Sequence, residues 1–313
     1  MTRRPILLLV NPVAGGKPGS GPGLADDPGL LTADALRGAL QERGLDVSHR
    51  EIAEGDDLAD LASTAAGTGH DVVVAGGDGT VSVVAGALLG HPEATLGILA
   101  MGSFNNMARG FGVPVTLDEA LDVIGAGTAT EVDAGWVVRE DSEGRPFFEA
   151  AGVGIDAIGF LAVEIAGRRG WLRAVRALLR GLRLRKTPMR LQIDERSYRT
   201  ASPAVTVSNG PYHGMGFAVA AEADPTDGLL NVAVFRGMSR WEVIRHFLAV
   251  ARRRPRREPK VASYPARRVT IEGVRRALPA HADGVSIGLT PITLEVRPGA
   301  LRLFRPAADT PRG

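Results

Sequence analysis

The sequence of 313 residues contains no cysteine, and this absence excludes several kinds of chemistry at once. Disulfide bonds, thiolate catalysis and cysteine-ligated zinc or iron–sulfur sites are all ruled out. Long apolar runs are also missing, because no stretch approaches the roughly 18 consecutive apolar residues of a membrane-spanning helix. The short apolar run Ile6–Val10 leads into Asn-Pro, so a buried first strand explains it better than a signal peptide. We therefore expect a cytoplasmic protein.

Aromatic residues are scarce, at 5% of the chain. Positive and negative charges nearly balance, and the formal net charge is +2. This cancellation conceals two unlike parts. Residues 1–130 contain 7 Lys and Arg against 16 Asp and Glu, a net charge of −9, whereas residues 131–313 contain 30 against 19, a net charge of +11. This asymmetry in net charge predicts that the two parts of the chain bind different partners. Since aromatics are few and no nucleic-acid-binding module is recognisable, we expect no nucleic-acid partner.

The length is about twice that of a typical domain, and the first 130 residues have the pattern of an α/β domain. Short aliphatic runs alternate with helical patterns. The predicted strands are Ile6–Val10, Asp71–Ala75 and Leu96–Ala100, and the predicted helices are Thr32–Arg43, Thr80–Leu89 and Leu117–Ile124. Continuous apolar strands that lead through glycine into helices predict a parallel sheet covered on both faces. In such a sheet, ligands bind at the carboxyl ends of the strands.

Residues 131–299 have a different pattern, which predicts a second domain built as an antiparallel β-sheet or β-sandwich. Short alternating segments are separated by Gly, Asn, Asp or Pro turns. They are Glu131–Val138, Met189–Ile193, Ala204–Ser208, Leu229–Phe235, Arg267–Glu272 and Ile292–Val296. Helices are predicted near Ala162–Leu184 and Arg240–Arg253, and the apolar segment Ala300–Phe304, within residues 300–313, is a candidate strand of the first domain.

The most specific short motif is Gly76-Gly77-Asp78-Gly79-Thr80, between a predicted strand and a predicted helix. Glycines let the backbone turn sharply and bring bare amides close to a ligand. The helix N-terminus adds unpaired N–H groups and the positive end of the helix dipole, and both favour phosphate. We expect Thr80 to cap this helix. Asp78 is a functional candidate, because a carboxylate beside phosphate is repulsive unless a metal ion or a substrate proton intervenes.

Two further loops follow predicted strands of the same sheet. The loop Met101–Arg109 supplies Gly, Ser and two Asn residues, and the first strand ends in Asn11-Pro12. All three loops should therefore meet at one edge of the sheet. The pattern is not a Walker A motif, and no clean Gly-x-Gly-x-x-Gly is present, so a P-loop NTPase and an evident Rossmann dehydrogenase are both excluded.

In the order and spacing of these motifs, the chain resembles the diacylglycerol kinase-like family of bacterial lipid kinases, related to eukaryotic diacylglycerol and sphingosine kinases. Gly-Gly-Asp-Gly-Thr alone is shared with NAD kinases and phosphofructokinases, so the later motifs narrow the match. They are the Gly-Ser-x-Asn-x-x-Ala loop from Gly102, Ala151–Ala157, Asn209 with Gly214 and Gly216, Asp227-Gly228-Leu229-Leu230, and Asp283-Gly284. The resemblance extends over essentially the whole chain.

The resemblance implies a phosphofructokinase-like first domain and an ATP- and Mg²⁺-dependent kinase with a lipid substrate. ATP would lie in the interdomain cleft against Asn11, Gly76, Gly77, Asp78, Gly79, Thr80, Val81, Ser82, Gly102, Ser103 and Asn105. A structural Mg²⁺ would lie at Asp224, Asp227 and Leu229, where oxygen ligands suit this hard ion. We expect Asp78 to be the essential acidic residue, either as a ligand of catalytic magnesium or as the proton acceptor, with Asp283 in a supporting role.

Two positions depart from the family pattern. Val285 stands where the family usually has a Glu that acts as general base, and Asn106 stands where Asp is common. Loss of a general base typically costs roughly 10²–10⁴ in rate. One alternative is therefore a catalytically weak or inactive homologue that acts as a nucleotide- or lipid-binding regulator. Another is a kinase of a soluble acceptor such as NAD, which would act without lipid.

The basic second part contains two arginine clusters that are candidate contacts with an anionic membrane surface. In the predicted helix Gly170–Lys186, apolar residues form one stripe and arginines line the other side. The arginines are Arg173, Arg176, Arg180 and Arg183, and the second cluster is the run Arg252–Arg257. The alternative for the helix is packing on the second domain with an ordinary solvated arginine face. The expected location is cytoplasmic with peripheral membrane association, and the sequence leaves a homodimer open.

Overall fold

The structure is a computed structural model, and it describes residues 3–14, 32–138, 144–154, 187–214, 217–218, 220–239, 241–242, 245 and 260–306. The chain divides into two compact units. The first unit comprises Met1–Val132 with Gly299–Gly313, and the second comprises Asp133–Pro298. Both arginine clusters predicted to contact a membrane, within Gly170–Lys186 and Arg252–Arg257, lie outside the described residues.

The elements of the described chain are numbered here in chain order. The helices are α1 (Ala33–Glu42), α2 (Leu58–Gly67), α3 (Asp78–Leu88), α4 (Asn106–Gly110) and α5 (Leu117–Ala126). The strands are β1 (Ile6–Val10), β2 (Val47–Glu51), β3 (Asp71–Gly76), β4 (Thr95–Ala100), β5 (Ala129–Val138), β6 (Arg145–Phe147), β7 (Ala150–Gly154), β8 (Thr187–Ile193), β9 (Arg196–Ser202), β10 (Ala204–Ser208), β11 (Tyr212–His213), β12 (Phe217–Ala218), β13 (Leu230–Phe235), β14 (Val261–Ala266), β15 (Arg268–Gly273), β16 (Pro279–Ala282), β17 (Val285–Leu289) and β18 (Ile292–Phe304).

The first unit is built on a parallel sheet in which the strands follow the order β2-β1-β3-β4. Every residue of β3 and β4 is buried, as expected for strands covered on both faces. The end of β18 returns to this sheet, where Arg302 and Leu303 pair in parallel with Thr95 and Leu96. Strand β2 pairs with one edge of β1, and the next strand, β3, pairs with the other edge. The strand order therefore reverses at β1, and the point between β1 and β3 is a topological switch point.

The second unit is a sandwich of two antiparallel sheets. One sheet has the order β14-β13-β10-β7-β16-β17, and the other contains the first part of β18 followed by β15, β8 and β9. Apolar side chains from both sheets form one core, which includes Val153, Val207, Leu191 and Ile271. Such interdigitation of two inner faces is the packing of a β-sandwich. The predicted fold class, a parallel-sheet α/β domain followed by an antiparallel β-sandwich, is confirmed.

Two predicted strands merge in the structure. Ile292–Val296 and Ala300–Phe304 are parts of the single 13-residue strand β18, which runs through Pro298 and Gly299. Its first part pairs with β15 in the second unit and its last part with β4 in the first. Within the described residues, none of the helices combines the length and apolar character that a membrane crossing requires.

Candidate active site

The predicted phosphate-binding loops of the first unit lie at the carboxyl ends of β1, β3 and β4. The first loop begins at Asn11, the second contains Gly77, and the third contains Gly102. Since β1 and β3 flank the topological switch point, these loops border the crevice in which ligands bind to sheets of this type. Two backbone hydrogen bonds join the loops to neighbouring strands: Asn11 N–H to the Ala75 carbonyl, and Met101 N–H to the Gly76 carbonyl, both at 2.9 Å.

Among the residues that the structure describes, no side chain caps the N-terminus of α3. Its N-cap residue is Gly77, whereas α1 and α2 are capped by the side chains of Thr32 and Asp57. The first intrahelical bond at this end runs from Val81 N–H to the Gly77 carbonyl at 3.0 Å. The three preceding N–H groups, those of residues 78–80, therefore lack helical partners, and they are available to an anion.

The prediction that Thr80 caps this helix is wrong. Thr80 lies within the first turn, and its hydroxyl instead accepts a hydrogen bond of 2.9 Å from the side-chain amide of Asn11. The Asn11 side-chain oxygen accepts from Val13 N–H at 3.1 Å. Because the Thr80 oxygen is the acceptor in its bond with Asn11, the hydroxyl proton is left to donate to a ligand oxygen.

The glycines of the two motifs permit a close approach of two backbones. A Cβ placed on Gly102 would lie 2.8 Å from Gly77 Cα, which is closer than such atoms tolerate. Asn105 shapes the same loop: it adopts the left-handed conformation, with φ of 52°, and its side-chain oxygen accepts from Gly102 N–H at 2.7 Å. Asn is among the few non-glycine residues that adopt this conformation readily. Asn105 thus orders the loop through an oxygen that is not free for a ligand.

Asp78 connects the second and third loops. It is the first residue of α3, and its Oδ1 accepts a hydrogen bond of 3.0 Å from Met107 N–H in α4. In the described part of the chain, no hydrogen bond occupies the second carboxylate oxygen. The carboxylate is therefore held in place through one oxygen, while the other is available to a metal ion or a proton.

The remaining predicted nucleotide-binding residues differ in how accessible they are to a ligand. A Cβ on Gly79 would meet no atom of the described residues within 4 Å, so these residues leave the space beside the first turn of α3 open. Ser103 is exposed and Ser82 is half-buried. Val81 is 2% exposed and its N–H is bonded within the helix, so neither its side chain nor its amide is available to a ligand.

The predicted magnesium-binding turn of the second unit is exposed at both acidic residues. Asp224 Oδ1 accepts from the backbone N–H and the hydroxyl of Thr226, at 3.0 and 2.7 Å, and Asp227 Oδ1 accepts from Leu229 N–H at 2.8 Å. Each of these bonds uses Oδ1, and oxygen is the donor type that Mg²⁺ prefers. Within the described residues, no group of three or more His, Cys, Asp or Glu side chains could hold a metal ion, so a cation here would also need backbone or water oxygens.

A buried carboxylate next to this turn was missed by sequence reasoning. Asp133 is 2% exposed, and its Oδ2 accepts a hydrogen bond of 2.7 Å from Gly228 N–H, between Asp227 and Leu229. Its own N–H donates to the Pro225 carbonyl at 2.7 Å. Asp133 therefore supports the acidic turn from within β5. Asp133 is the one charged residue in the run 132–138, and this was the available signal, since buried charge is costly unless it is hydrogen-bonded.

Asp283 lies in the turn between β16 and β17 and holds the start of β7. Its carboxylate accepts three backbone hydrogen bonds, from Phe148, Glu149 and Ala150, at 2.7, 2.9 and 3.1 Å. Burial raises the pKa of Asp283 above its ordinary value, and these three N–H groups together with nearby His281 oppose the increase. The carboxylate is thus engaged by main-chain donors, which is the geometry of a residue that positions a neighbouring segment.

Two other motif positions of the second unit differ sharply in exposure. Val285, at the start of β17, is 48% exposed, so its side chain contributes little to the core. Asn209 is fully buried, and its amide donates to the carbonyls of Asp133 and Phe148 at 3.0 and 3.2 Å. Asn209 therefore joins β5 to the segment that Asp283 holds.

Comparison with known families assigns both parts of the chain. Residues 5–137 match the family model described as diacylglycerol kinase catalytic domain, and residues 150–305 match the YegS C-terminal NAD kinase beta sandwich-like domain. The resemblance inferred from the motifs is confirmed by these matches.

Named relatives and solved structures agree with this assignment. The chain is 31% identical to a diacylglycerol kinase of Mycobacterium tuberculosis over 279 residues, covering 85% of this chain and 87% of the relative. It is 32% identical over 222 residues to a protein of Escherichia fergusonii named "Probable lipid kinase YegS", covering 68% of this chain and 71% of the relative. A crystal structure of a diacylglycerol kinase from Bacillus anthracis has the same fold, with a TM-score of 0.70, 20% identity and coverage of 99% and 100%. Yeast NADH kinase is a more distant neighbour, with a TM-score of 0.51, 12% identity and coverage of 99% and 85%.

Proposed function

Because this chain belongs to the diacylglycerol kinase family of lipid kinases, we propose that it transfers the γ-phosphoryl group of ATP to the hydroxyl of diacylglycerol or a related lipid. The observation that carries the proposal is the uncapped N-terminus of α3 beside the switch point. Phosphoryl transfer depends mainly on positioning and on stabilisation of charge, and these are the functions that such a site supplies.

The first turn of α3 binds the phosphates of ATP. Its unpaired N–H groups and the positive end of the helix dipole attract anionic oxygens. The open space beside Gly79 lets the phosphates reach these amides. Thr80, oriented by Asn11, donates its hydroxyl proton to a phosphate oxygen.

Asp78 is the essential carboxylate of this proposal. Its Oδ1 accepts a hydrogen bond from Met107 N–H, and this bond holds the carboxylate, and with it Oδ2, in one orientation. That oxygen either coordinates magnesium or accepts the proton of the lipid hydroxyl. Magnesium, when bound, would neutralise charge on the phosphates and the transferring group.

A second, structural magnesium is proposed at the turn of Asp224, Asp227 and Leu229. The fit rests on two exposed carboxylates within a turn that hydrogen bonds already order. Asp133 limits the movement of this turn through Gly228 N–H. In the same unit, Asp283 positions the start of β7 through three main-chain hydrogen bonds, and this is its supporting role in the proposal.

A specific observation favours a second candidate function, that of a weak or inactive homologue which binds nucleotide or lipid as a regulator. Val285 carries no acid, and the nearby Asp283 carboxylate already accepts three backbone hydrogen bonds. No acidic residue of the turn is therefore available to accept a proton. Measurable nucleotide binding without phosphoryl transfer would support this function.

Peripheral association with an anionic membrane surface is also part of the proposal. It rests on the arginines within Gly170–Lys186 and on the run Arg252–Arg257. Basic residues near anionic headgroups contribute about 1 kcal/mol each. Cosedimentation with phosphatidylglycerol vesicles, compared with phosphatidylcholine vesicles, tests this part separately.

The kinase proposal is tested with purified protein, radiolabelled ATP, magnesium and a panel of lipids in mixed micelles. We expect label in diacylglycerol or a related hydroxyl lipid. NAD without lipid serves as the soluble-acceptor comparison. Label in NAD alone would favour a soluble-acceptor kinase, and no label in any acceptor would overturn the kinase proposal.

A further inference from the structure

In the described part of the first unit, large apolar side chains are exposed at three positions, and all three adjoin the candidate active site. They are Val13 at 78%, Val83 at 44% and Phe104 at 41% exposure. Val13 follows β1, Phe104 follows β4, and Val83 lies one turn after Gly79 in α3. Scattered exposed apolar residues are normal, whereas a group of them around one site marks an interaction surface.

Two of these side chains belong to loops that hydrogen bonds hold in place. Val13 is in a turn that Ala14 N–H closes by donating to the Asn11 carbonyl, and Val13 N–H donates to the Asn11 side-chain oxygen, both at 3.1 Å. Phe104 is in the loop that Asn105 orders by accepting from Gly102 N–H at 2.7 Å. Because both loops are already ordered, contact with a partner costs little conformational entropy.

The loops of Val13 and Phe104 flank the loop that leads into α3. Strands β1 and β4 lie on the two sides of β3, so the loops that follow them are two strand spacings, or about 10 Å, apart. The loop after β3, which ends at Asp78, lies between them. A surface that contacts both Val13 and Phe104 therefore spans the start of α3, where the phosphates are proposed to bind.

The chemistry of these two loops is apolar and uncharged. Residues 12–14 are Pro-Val-Ala, and residues 102–105 are Gly-Ser-Phe-Asn. An apolar contact requires no attraction between charges, so it can form even though residues 1–130 have a net charge of −9. Val13 and Phe104 lie on separate loops, and a bilayer surface can contact both at once. Phe and aliphatic side chains are the types that enter the boundary between headgroups and acyl chains.

We propose that Val13 and Phe104, the apolar tips, enter the surface of the bilayer that contains the acceptor lipid. The inference rests on the proposed kinase function, because a lipid hydroxyl at the bilayer surface is phosphorylated only when the γ-phosphate reaches that surface. The apolar tips hold the first turn of α3 there. Their contact differs from that of the arginine clusters, whose attraction to anionic headgroups is electrostatic and is screened by salt.

The first experiment uses the absence of cysteine from the chain, because a single introduced cysteine is then a unique site for a dye. Val13→Cys is labelled with nitrobenzoxadiazole, whose emission shifts to the blue and brightens in lipid. We expect both changes on addition of neutral vesicles of phosphatidylcholine and diacylglycerol, and we expect them to persist at high salt. Glu93→Cys is the matched control, because Glu93 is exposed and precedes β4 at the opposite edge of the same sheet. Its dye should not change.

Other occupants of the apolar tips give different results in the same experiment. A dye at residue 13 that does not change with vesicles, or an equal change at residue 93, would overturn the proposal. A change caused by a non-hydrolysable ATP analogue without vesicles would assign the tips to the nucleotide base. A change that depends on protein concentration without vesicles would assign them to a second copy of the chain. Either result would also contradict the proposal.

The second experiment removes the apolar tips in the full chain. The double change Val13→Ser with Phe104→Ser should weaken partitioning onto the same neutral vesicles by about tenfold or more, since two apolar side chains are lost from the contact. Leu289→Ser removes an exposed apolar side chain of the second unit and should leave partitioning unchanged. Thermal melting checks that the variants fold. Equal weakening by Leu289→Ser, or unchanged partitioning of the double variant, would contradict the proposal.

Kinase activity gives a further comparison. The double variant should lose activity toward long-chain diacylglycerol in vesicles and keep it toward water-soluble dihexanoylglycerol, because the tips bring the site to the bilayer and take no part in phosphate binding. Equal loss with both acceptors would contradict the docking role. The vesicle titration and the partitioning contain no ATP, so their failure is distinct from failure of the kinase proposal.

Discussion

The side-chain amide of Asn11 donates a hydrogen bond of 2.9 Å to the hydroxyl of Thr80, and this bond joins the loop after β1 to the first turn of α3. The two residues are 69 positions apart in the chain, yet they lie on the two sides of the switch point because β1 and β3 are adjacent. The bond fixes the Thr80 hydroxyl beside three N–H groups that have no helical partner. A set of donors fixed in this way needs little reorganisation when a phosphate binds.

Replacing Thr80 by Val should weaken ATP binding while leaving the fold intact. The change removes the acceptor of the Asn11 bond and the donor to the phosphate, and a hydrogen bond typically contributes about 1 kcal/mol, or roughly fivefold in affinity. Thr80→Ser keeps the hydroxyl and is the matched control. Steady-state kinetics should show a higher KM for ATP in the Val variant alone. A Ser variant as impaired as the Val variant would contradict the role of the hydroxyl.

Two glycine substitutions should separate loop packing from ligand binding. Gly102→Ala places a Cβ 2.8 Å from Gly77 Cα, so we expect it to lower the free energy of unfolding by about 1–3 kcal/mol. Gly79→Ala meets no atom of the described part of the chain within 4 Å and should preserve stability, while its methyl group obstructs the space proposed for phosphate. Urea unfolding and nucleotide titration measure the two effects. Wild-type nucleotide affinity in the Gly79→Ala protein would contradict the proposed position of the phosphates.

Replacing Val285 by Glu should increase phosphoryl transfer. The position is 48% exposed, so a carboxylate there has a small desolvation cost. A general base contributes roughly 10²–10⁴ in rate, and we expect at least a tenfold gain in kcat. Val285→Gln, which has a similar shape and no charge, should show no such gain. Equal rates in the Glu and Gln variants would show that a base at this position does not limit the reaction.

Asp71 should make folding stability depend on pH. It accepts a hydrogen bond of 2.8 Å from Thr95 N–H, but burial raises its pKa above the ordinary value of 3.8, despite this bond and nearby Arg4. The folded protein then binds this proton more tightly than the unfolded chain does. Stability from this group is consequently full below 3.8 and declines as pH rises through the pKa of the folded state.

The variant Asp71→Asn keeps an oxygen for Thr95 N–H and removes the titration. Urea unfolding at a series of pH values should therefore show wild-type stability falling relative to the variant as pH rises from about 4 toward neutrality. Using the difference between the two proteins cancels contributions from other groups, including Asp283. Parallel stability curves over this range would contradict the prediction.

The sequence predicted the site to the extent that local patterns determine it. Buried aliphatic runs gave β1, β3 and β4, and parallel strands necessarily bring their following loops to one edge, so the meeting of the loops was predictable. Strand β2 was missed because its sequence, Val-Ser-His-Arg-Glu, is mostly polar and lies at the edge of the sheet. Thr80 was assigned a local capping role, whereas its partner Asn11 is brought near only by the pairing of β1 with β3.

In the second unit, the contacts that the sequence did not predict join residues far apart in the chain. The bond from Gly228 N–H to Asp133 spans 95 positions, and the bonds that hold Asp283 span 133 to 135 positions. No short motif encodes such partners. The resemblance identified Asp283 as a position of interest, but its engagement by three main-chain N–H groups required the three-dimensional structure.

The measurement that tests the account most directly is transfer of radiolabelled γ-phosphate from ATP to diacylglycerol by wild-type protein and by Asp78→Asn, side by side. Asn retains a side-chain oxygen for Met107 N–H, so the variant should fold with unchanged thermal stability. Loss of the carboxylate should lower kcat by roughly 10²-fold or more, whether Asp78 holds magnesium or accepts the proton. A wild-type protein that labels diacylglycerol, with a folded but nearly inactive variant, is the predicted result. An Asp78→Asn protein with wild-type activity would contradict the account.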